Sequence, residues 1–264
     1  MIVFLHIPKT AGSTFQFILE NSFGFSACHT NHTRRKIFSQ GDFEFARKFF
    51  PRLRSLAGHN LIDPLQLSVP DAFYMTFVRE PVARVISHYQ DSVVLGTSRL
   101  TFEESLHRGG IFENLQVKLM AGTRDLGLAK RFLEKCAFVG LTEKFDLSLH
   151  VLGRIIPCKL NLNYQKRRIA RDNTIRKTLE NDSRMLEMAA EFNQLDIELY
   201  SFAIQEIFPK LCAKAGLTPS DNAPSFEKFT SDLKPKFLLS KFYNKAFRVA
   251  CKLRRDNNAP ATRD

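Results

Sequence analysis

Scarcities set the first limits on this 264-residue chain. Its five cysteines, Cys28, Cys136, Cys158, Cys212 and Cys251, are odd in number, far apart and never in a C-x-x-C pair. Neither a disulfide framework nor a zinc site is indicated, and a reducing compartment is the simpler expectation. No run approaches the ~18 apolar residues of a membrane-spanning helix. The apolar start at residues 2–7 is too short for a secretory signal and has no basic segment before it, so the chain is expected to begin inside its fold. Acidic residues are also scarce, 27 against 39 Lys and Arg, which leaves a formal charge of +12. That excess favours polyanions, whether nucleic acid, acidic lipid, acidic glycan or nucleotide, and does not choose among them. No helix-turn-helix, zinc-finger or RNP signature accompanies the charge, which counts against a nucleic-acid-binding module.

What is present is ordinary for a globular protein: 44% apolar and 25% charged residues. The length favours one domain with an appendage over two full domains. We place the domain at residues 1–208. An extension follows at 209–264, where Pro219, Pro224, Pro235 and several polar residues change the composition.

The chain is organised around Ile2-Val3-Phe4-Leu5-His6-Ile7-Pro8-Lys9-Thr10-Ala11-Gly12-Ser13-Thr14-Phe15. A short apolar run rich in β-branched and aromatic residues and stopped by Pro8 reads as a central strand of a parallel sheet. Small residues at Ala11, Gly12 and Ser13 allow a tight turn, with Ser13 or Thr14 as cap of a following helix through Phe17, Ile18 and Leu19. Backbone N–H groups and the positive helix end then face one point, an anion site, and Lys9, Thr10, Ser13 and Thr14 add side-chain donors. This is not a Walker A loop, because Lys9 comes before the glycine instead of after it.

Three more strands are expected, at Ser55-Leu56-Ala57-Gly58, at Ala72-Phe73-Tyr74-Met75-Thr76-Phe77-Val78 and at Ala137-Phe138-Val139-Gly140-Leu141, with a fifth, edge strand at Cys158-Lys159-Leu160-Asn161-Leu162-Asn163. His59 follows the first of these, at the carboxyl edge where ligands bind in open α/β sheets. Arg79 ends the next, Pro81 fits the first turn of a helix, and Ser87 lies two turns in, so both can face a phosphate over the helix start. Thr142 is expected to cap a helix that starts at Lys144. The spacing of Met185, Met188, Ala189, Phe192, Leu195, Leu199 and Phe202 predicts one long amphipathic helix.

Residues 23–54 are basic and weakly periodic, with Arg34, Arg35, Lys36, Arg47, Lys48, Arg52 and Arg54 as a wall for an anionic acceptor or simply a wet surface. His29 and His32 lack an acidic or thiol partner at ligand spacing, so no metal site is assigned and a solvated loop is expected. Tyr164-Gln165-Lys166-Arg167-Arg168 reads as a basic surface loop, or as a cover over phosphates. In the extension, Leu239, Phe242, Tyr243, Ala246, Val249, Ala250 and Leu253 share a helical stripe with Lys241, Lys245, Arg248, Lys252 and Arg254 elsewhere. A basic amphipathic helix over 239–255 either lies on an anionic membrane or packs against its own protein. Residues 257–264 are expected to fray.

The loop with Pro8-Lys9-Thr10 and Ser13-Thr14 resembles the 5′-phosphosulfate loop of sulfotransferases that use 3′-phosphoadenosine 5′-phosphosulfate (PAPS). The order of segments is similar to the family of heparan sulfate 2-O-sulfotransferase and its bacterial relatives. There a Gly-His pair follows at about this separation, an Arg-x-Pro then Ser segment holds the 3′-phosphate, and Asn114-Leu115-Gln116 matches an acceptor-side Asn-x-Gln. Val139-Gly140-Leu141-Thr142-Glu143-Lys144-Phe145, and Asn193, Asp196, Leu199, Tyr200 and Ala203, match its fourth strand and closing helix. The resemblance implies an α/β, P-loop-like three-layer fold with a mostly parallel sheet of about five strands. It implies transfer of sulfate from PAPS to a glycan or glycolipid hydroxyl without a metal. His59 would be the base, Lys9 would stabilise the leaving phosphate, residues 9–14 would bind the 5′ side, and Arg79 and Ser87 the 3′ side. Arg84 and His88 would support the helix. Since the family's Golgi members carry a membrane anchor, a cytoplasmic, bacterial protein is implied, at the inner face of the membrane if the last helix docks there. Two other classes stay open: a P-loop-type nucleotide kinase or NTPase, against which Arg79 stands where a metal-holding Asp is needed, and a basic nucleic-acid-binding protein.

Overall fold

The computed structural model describes residues 1–165, 173–227 and 235–257. The basic run from Lys166 to Arg168 and the tail from residue 258 lie outside the described residues.

Five parallel strands form one sheet: β1 (Ile2–Leu5), β2 (Ala27–His29), β3 (Ser55–Gly58), β4 (Phe73–Val78) and β5 (Phe138–Leu141), in the order β2-β3-β1-β4-β5. The expected α/β architecture is therefore present, with one strand exchanged. The fifth strand is β2, not the stretch from Cys158 to Asn163, which has no regular structure and leads into an isolated bridge from Tyr164 to Glu227. At three residues β2 is too short to show an alternation.

Helices cover both faces, which is why every residue of β1 is buried. α1 (Gly12–Phe23) follows β1. α2 (Gln40–Phe49) lies in the basic segment read as irregular, and its capping box between Ser39 and Asp42 is a sequence signal that reading passed over. α3 (Pro81–Val94) follows β4, capped by Glu80, whose carboxylate accepts from Val82 and Ala83 N–H. α4 (Phe102–Arg108), α5 (Leu115–Ala121) and α6 (Leu126–Lys135) lead to β5. α7 (Phe145–Ile155) begins after a single 3₁₀ turn, and Thr142 does not cap it, because its hydroxyl donates to Val78 O at 3.0 Å. α8 (Thr174–Glu180) precedes α9 (Ser183–Glu191) and α10 (Gln194–Phe202), two helices where one long helix was expected. The break falls at Phe192 and Asn193, where the Asn193 side chain accepts from Asn114 N–H and donates to Phe112 O as well as to Ala189 O of α9. α11 (Phe208–Lys214) and α12 (Pro235–Asn257) are the last helices among the described residues.

Phenylalanine dominates the core. Phe4 meets Phe15 of α1 edge-on at 4.7 Å and Phe77 of β4 at 6.4 Å, so three elements share one aromatic cluster. α12 packs beside β2. Asn244 accepts from His29 N–H at 2.7 Å and donates to Ala27 O at 2.8 Å, and so occupies the open edge of the sheet. Phe247, with 0% exposure, inserts among Phe45, Phe49 and Phe50. The buried stripe is thus Phe237, Ser240, Asn244, Phe247 and Cys251. Most of the stripe read from sequence points the other way, with Leu239, Phe242, Val249 and Leu253 exposed.

Candidate active site

The strand order puts β1 between β3 and β4, so their carboxyl ends open side by side. His6, His59 and Arg79 emerge there as the residues just past β1, β3 and β4. The loop after β1 makes its turn with two non-glycine residues in the left-handed region, Lys9 at φ 69° and Ala11 at φ 61°. Such backbone costs on the order of 1 kcal/mol per residue. Ala11, and neither Ser13 nor Thr14, is the N-cap of α1, with no side-chain cap bond. The first-turn N–H groups are left without a side chain competing for them. Gly12 is fixed by packing: a Cβ there would come within 1.9 Å of the His6 ring.

A cleft of about 490 Å³ lies over this loop. Lys9, Ala11, Gly12, Ser13, Thr14, His59, Arg79 and Ser87 all line it, so the structure brings these expected residues to one opening. Thr10 is the exception. It is buried, and its hydroxyl donates to Ile7 O at 2.9 Å, which braces the loop from behind. Lys9 Nζ pairs with Asp91 of α3 at 3.1 Å, and Arg79 donates to Lys9 O at 3.0 Å. Burial lowers the Arg79 pKa, and it is the main cause of the His88 imidazole falling to about 4, with Arg84 and Lys9 adding repulsion. His88 lines the cleft as a neutral ring at physiological pH.

His59 is held at several points. Its Nδ1 lies 2.5 Å from His6 O. A carbonyl only accepts, so Nδ1 carries the hydrogen and, in the neutral ring, Nε2 carries the lone pair. Its backbone N–H donates to Asn31 Oδ1 at 2.9 Å, and its ring packs on the His6 ring at 4.0 Å. Asn60 next to it is clamped to Thr30, Thr33 and Arg35 O. The orienting partner is therefore a backbone carbonyl, which sequence cannot reveal because it requires the β1 to β3 register of Leu5 against Gly58.

A second cavity of about 600 Å³ adjoins the first, and both are lined by His6, Ser13 and His59. Its other walls are Gln16, Phe17 and Glu20 of α1, His29 and Asn31, and Phe237 and Lys241 of α12. Glu20 is buried, pairs with Lys241 at 3.0 Å and accepts from Gln16 at 3.0 Å. His29, expected in a solvated loop, is a half-buried strand residue here. Among the described residues no group of three or more His, Cys, Asp and Glu could hold a metal ion. The basic residues of segment 23–54 do not line this cavity: Arg35 pairs with Asp42, and Arg54 lies over the Phe23 ring at 4.4 Å.

Asn114 and Gln116 line neither cavity. Both are buried. Gln116 accepts from Arg79 N–H at 3.0 Å and donates to Arg79 O at 2.9 Å, gripping the peptide that aims the arginine. Asp196 in turn accepts from Gln116 and Val117 N–H, Asn193 from Asn114 N–H, and Asn114 from Asp196 N–H. Burial raises the Asp196 pKa, opposed first by fully buried Arg84, whose own pKa falls to about 10.

Residues 1–123 match a family model described as the sulfotransferase family. Heparan sulfate 2-O-sulfotransferase hst-2 of Caenorhabditis elegans is 24% identical over 84% of this chain and 83% of that protein. The family match covers the stretch that builds β1 to β4, the phosphate-shaped loop, His59 and Arg79.

Proposed function

We propose that this chain moves a sulfuryl group from PAPS to a hydroxyl of a glycan or glycolipid. One observation carries the reading: the loop cleft and the second cavity meet at the imidazole of His59. The cleft suits the donor by size, since small-ligand pockets span roughly 300–1,000 Å³, and by charge, with Lys9, Arg79 and a helix start on its wall. PAPS supplies the sulfuryl group. Lys9 and the N–H groups of the loop bind the 5′ phosphate and stabilise the charge that grows on its bridging oxygen, while Arg79 and Ser87 hold the 3′ phosphate. His59 Nε2 takes the proton of the acceptor hydroxyl as its oxygen bonds to sulfur and the sulfur–phosphate oxygen bond breaks. The products are a sulfate ester and the bisphosphorylated nucleotide. Phe17 and Phe237, with ring centroids 5.0 Å apart, offer an apolar wall for a sugar ring, and Lys241 a cation for an anionic one.

Thermal shift tests the donor side. PAPS and its desulfated bisphosphate are expected to raise Tm, and ATP to do so less. Stabilisation by ATP with magnesium together with ATP turnover would replace the proposal with a kinase or NTPase. Transfer of labelled sulfate to a panel of glycans and glycolipids then tests the acceptor side.

A further inference from the structure

α12 has two opposed faces. One fills the groove beside β2 through Phe237, Asn244 and Phe247. On the other, Leu238, Leu239, Phe242, Val249 and Leu253 are 43–69% exposed. Steps of about 100° per residue put all five on one arc opposite Asn244. Soluble proteins rarely leave so continuous an apolar stripe in water.

The stripe has a cationic border. Lys241, Lys245, Arg248 and Lys252 run along one side of it, and residues 235–254 contain no acidic residue. Three of the four, with Val249, join Arg34 around an opening of about 340 Å³. Arg34 is brought there by its own left-handed backbone, at φ 55°. The field reaches inward: burial first, then Arg248 and Lys241, lower the pKa of His32. A second copy of this chain packed on the stripe would bring a like-charged border with it, and nothing on α12 up to Arg254 would neutralise it.

We propose that α12 is a docking surface for an anionic lipid bilayer. Its apolar stripe lies at the acyl boundary, and Arg34, Lys245, Arg248 and Lys252 hold lipid phosphates. This does not depend on the sulfotransferase reading. If both hold, docking holds the second cavity within about one helix diameter of the membrane, because Phe237 and Lys241 of the same helix line it.

The test is co-sedimentation of the full chain with vesicles of phosphatidylcholine alone or mixed with phosphatidylglycerol. Binding to the mixed vesicles is expected to be at least about tenfold stronger and to weaken with salt. The double variant Phe242→Glu/Leu253→Glu should lose about tenfold or more, and Lys245→Gln/Arg248→Gln/Lys252→Gln should lose the preference for anionic lipid. Both sets change exposed side chains, so Tm should be unchanged. If the Glu pair fails to fold, the Gln triple variant decides. Equal binding to both vesicle types, no binding, or no effect of the Gln triple variant would overturn the proposal. So would a dimer in sedimentation velocity that Phe242→Glu dissociates, because the stripe would then belong to a second copy.

Discussion

His59 owes its tautomer to the carbonyl of His6, and His6 owes its place to the missing side chain of Gly12. Two tests belong to this small unit. His59→Ala is expected to lower kcat by about a hundred-fold or more while leaving affinity for the bisphosphate product intact; unchanged sulfate transfer would remove it from the chemistry. Gly12→Ala must push the His6 ring aside and should cost about 1–3 kcal/mol in a denaturant melt, with a parallel loss of turnover. His88 supplies the pH test. Its unfolded pKa is near the model-peptide value of 6.5 and its folded value about 4. The unfolded chain therefore binds this proton first, so the contribution of His88 to stability is complete above pH 6.5 and is lost as pH falls toward 4. A Tm profile should show that loss, and His88→Gln should flatten it; an unchanged profile would mean that other groups set it. That Lys9, His59 and Arg79 would line one opening was legible because each follows a strand, and Ser87 because it lies two turns into the helix that Pro81 starts. His6, Asn31 and Asp91 were not, because their partners lie on other strands or helices.

Among elements, α5 and α10 form a latch behind Arg79. The segments around Asn114 and Asn193 both stood out in the sequence, but as an acceptor wall and a closing helix. The structure shows why they are polar: Asn193 and Asp196 accept from the N–H groups of Asn114, Gln116 and Val117, and Asn114 accepts from Asp196 N–H, across a sequence gap that no local pattern can bridge. Replacing Asp196 with Ala leaves two buried N–H groups and Arg84 without their acceptor or counter-ion. It should cost about 3–5 kcal/mol, read as a shift in the urea midpoint, and should weaken binding of the bisphosphate through the loosened Arg79. A variant with normal donor affinity would confine the latch to stability. β2 escaped the sequence reading for a related reason. Three residues cannot show a period, and its edge is closed by Asn244, more than two hundred positions away.

For the whole molecule, α12 both packs against the core and lines the second cavity. Phe247→Ala empties an aromatic pocket between α2 and α12 and is expected to cost about 3–5 kcal/mol, with a lower Tm and weaker acceptor binding because Phe237 and Lys241 move with the helix. A Tm within one degree of the parent would detach α12 from the core. Truncation before residue 239 would expose the same pocket, so point variants on the outer face are the cleaner probe of membrane binding. The sequence by itself determined the parallel α/β core, the phosphate-shaped loop and the ends of β3 and β4, because each is written in contiguous residues whose period, size and charge act locally. Only the tertiary structure decided that His6 orients His59, that Gln116 aims Arg79, and which face of α12 is buried. Those outcomes depend on strand register and on which surface finds a partner, and both are settled by segments far apart in the chain.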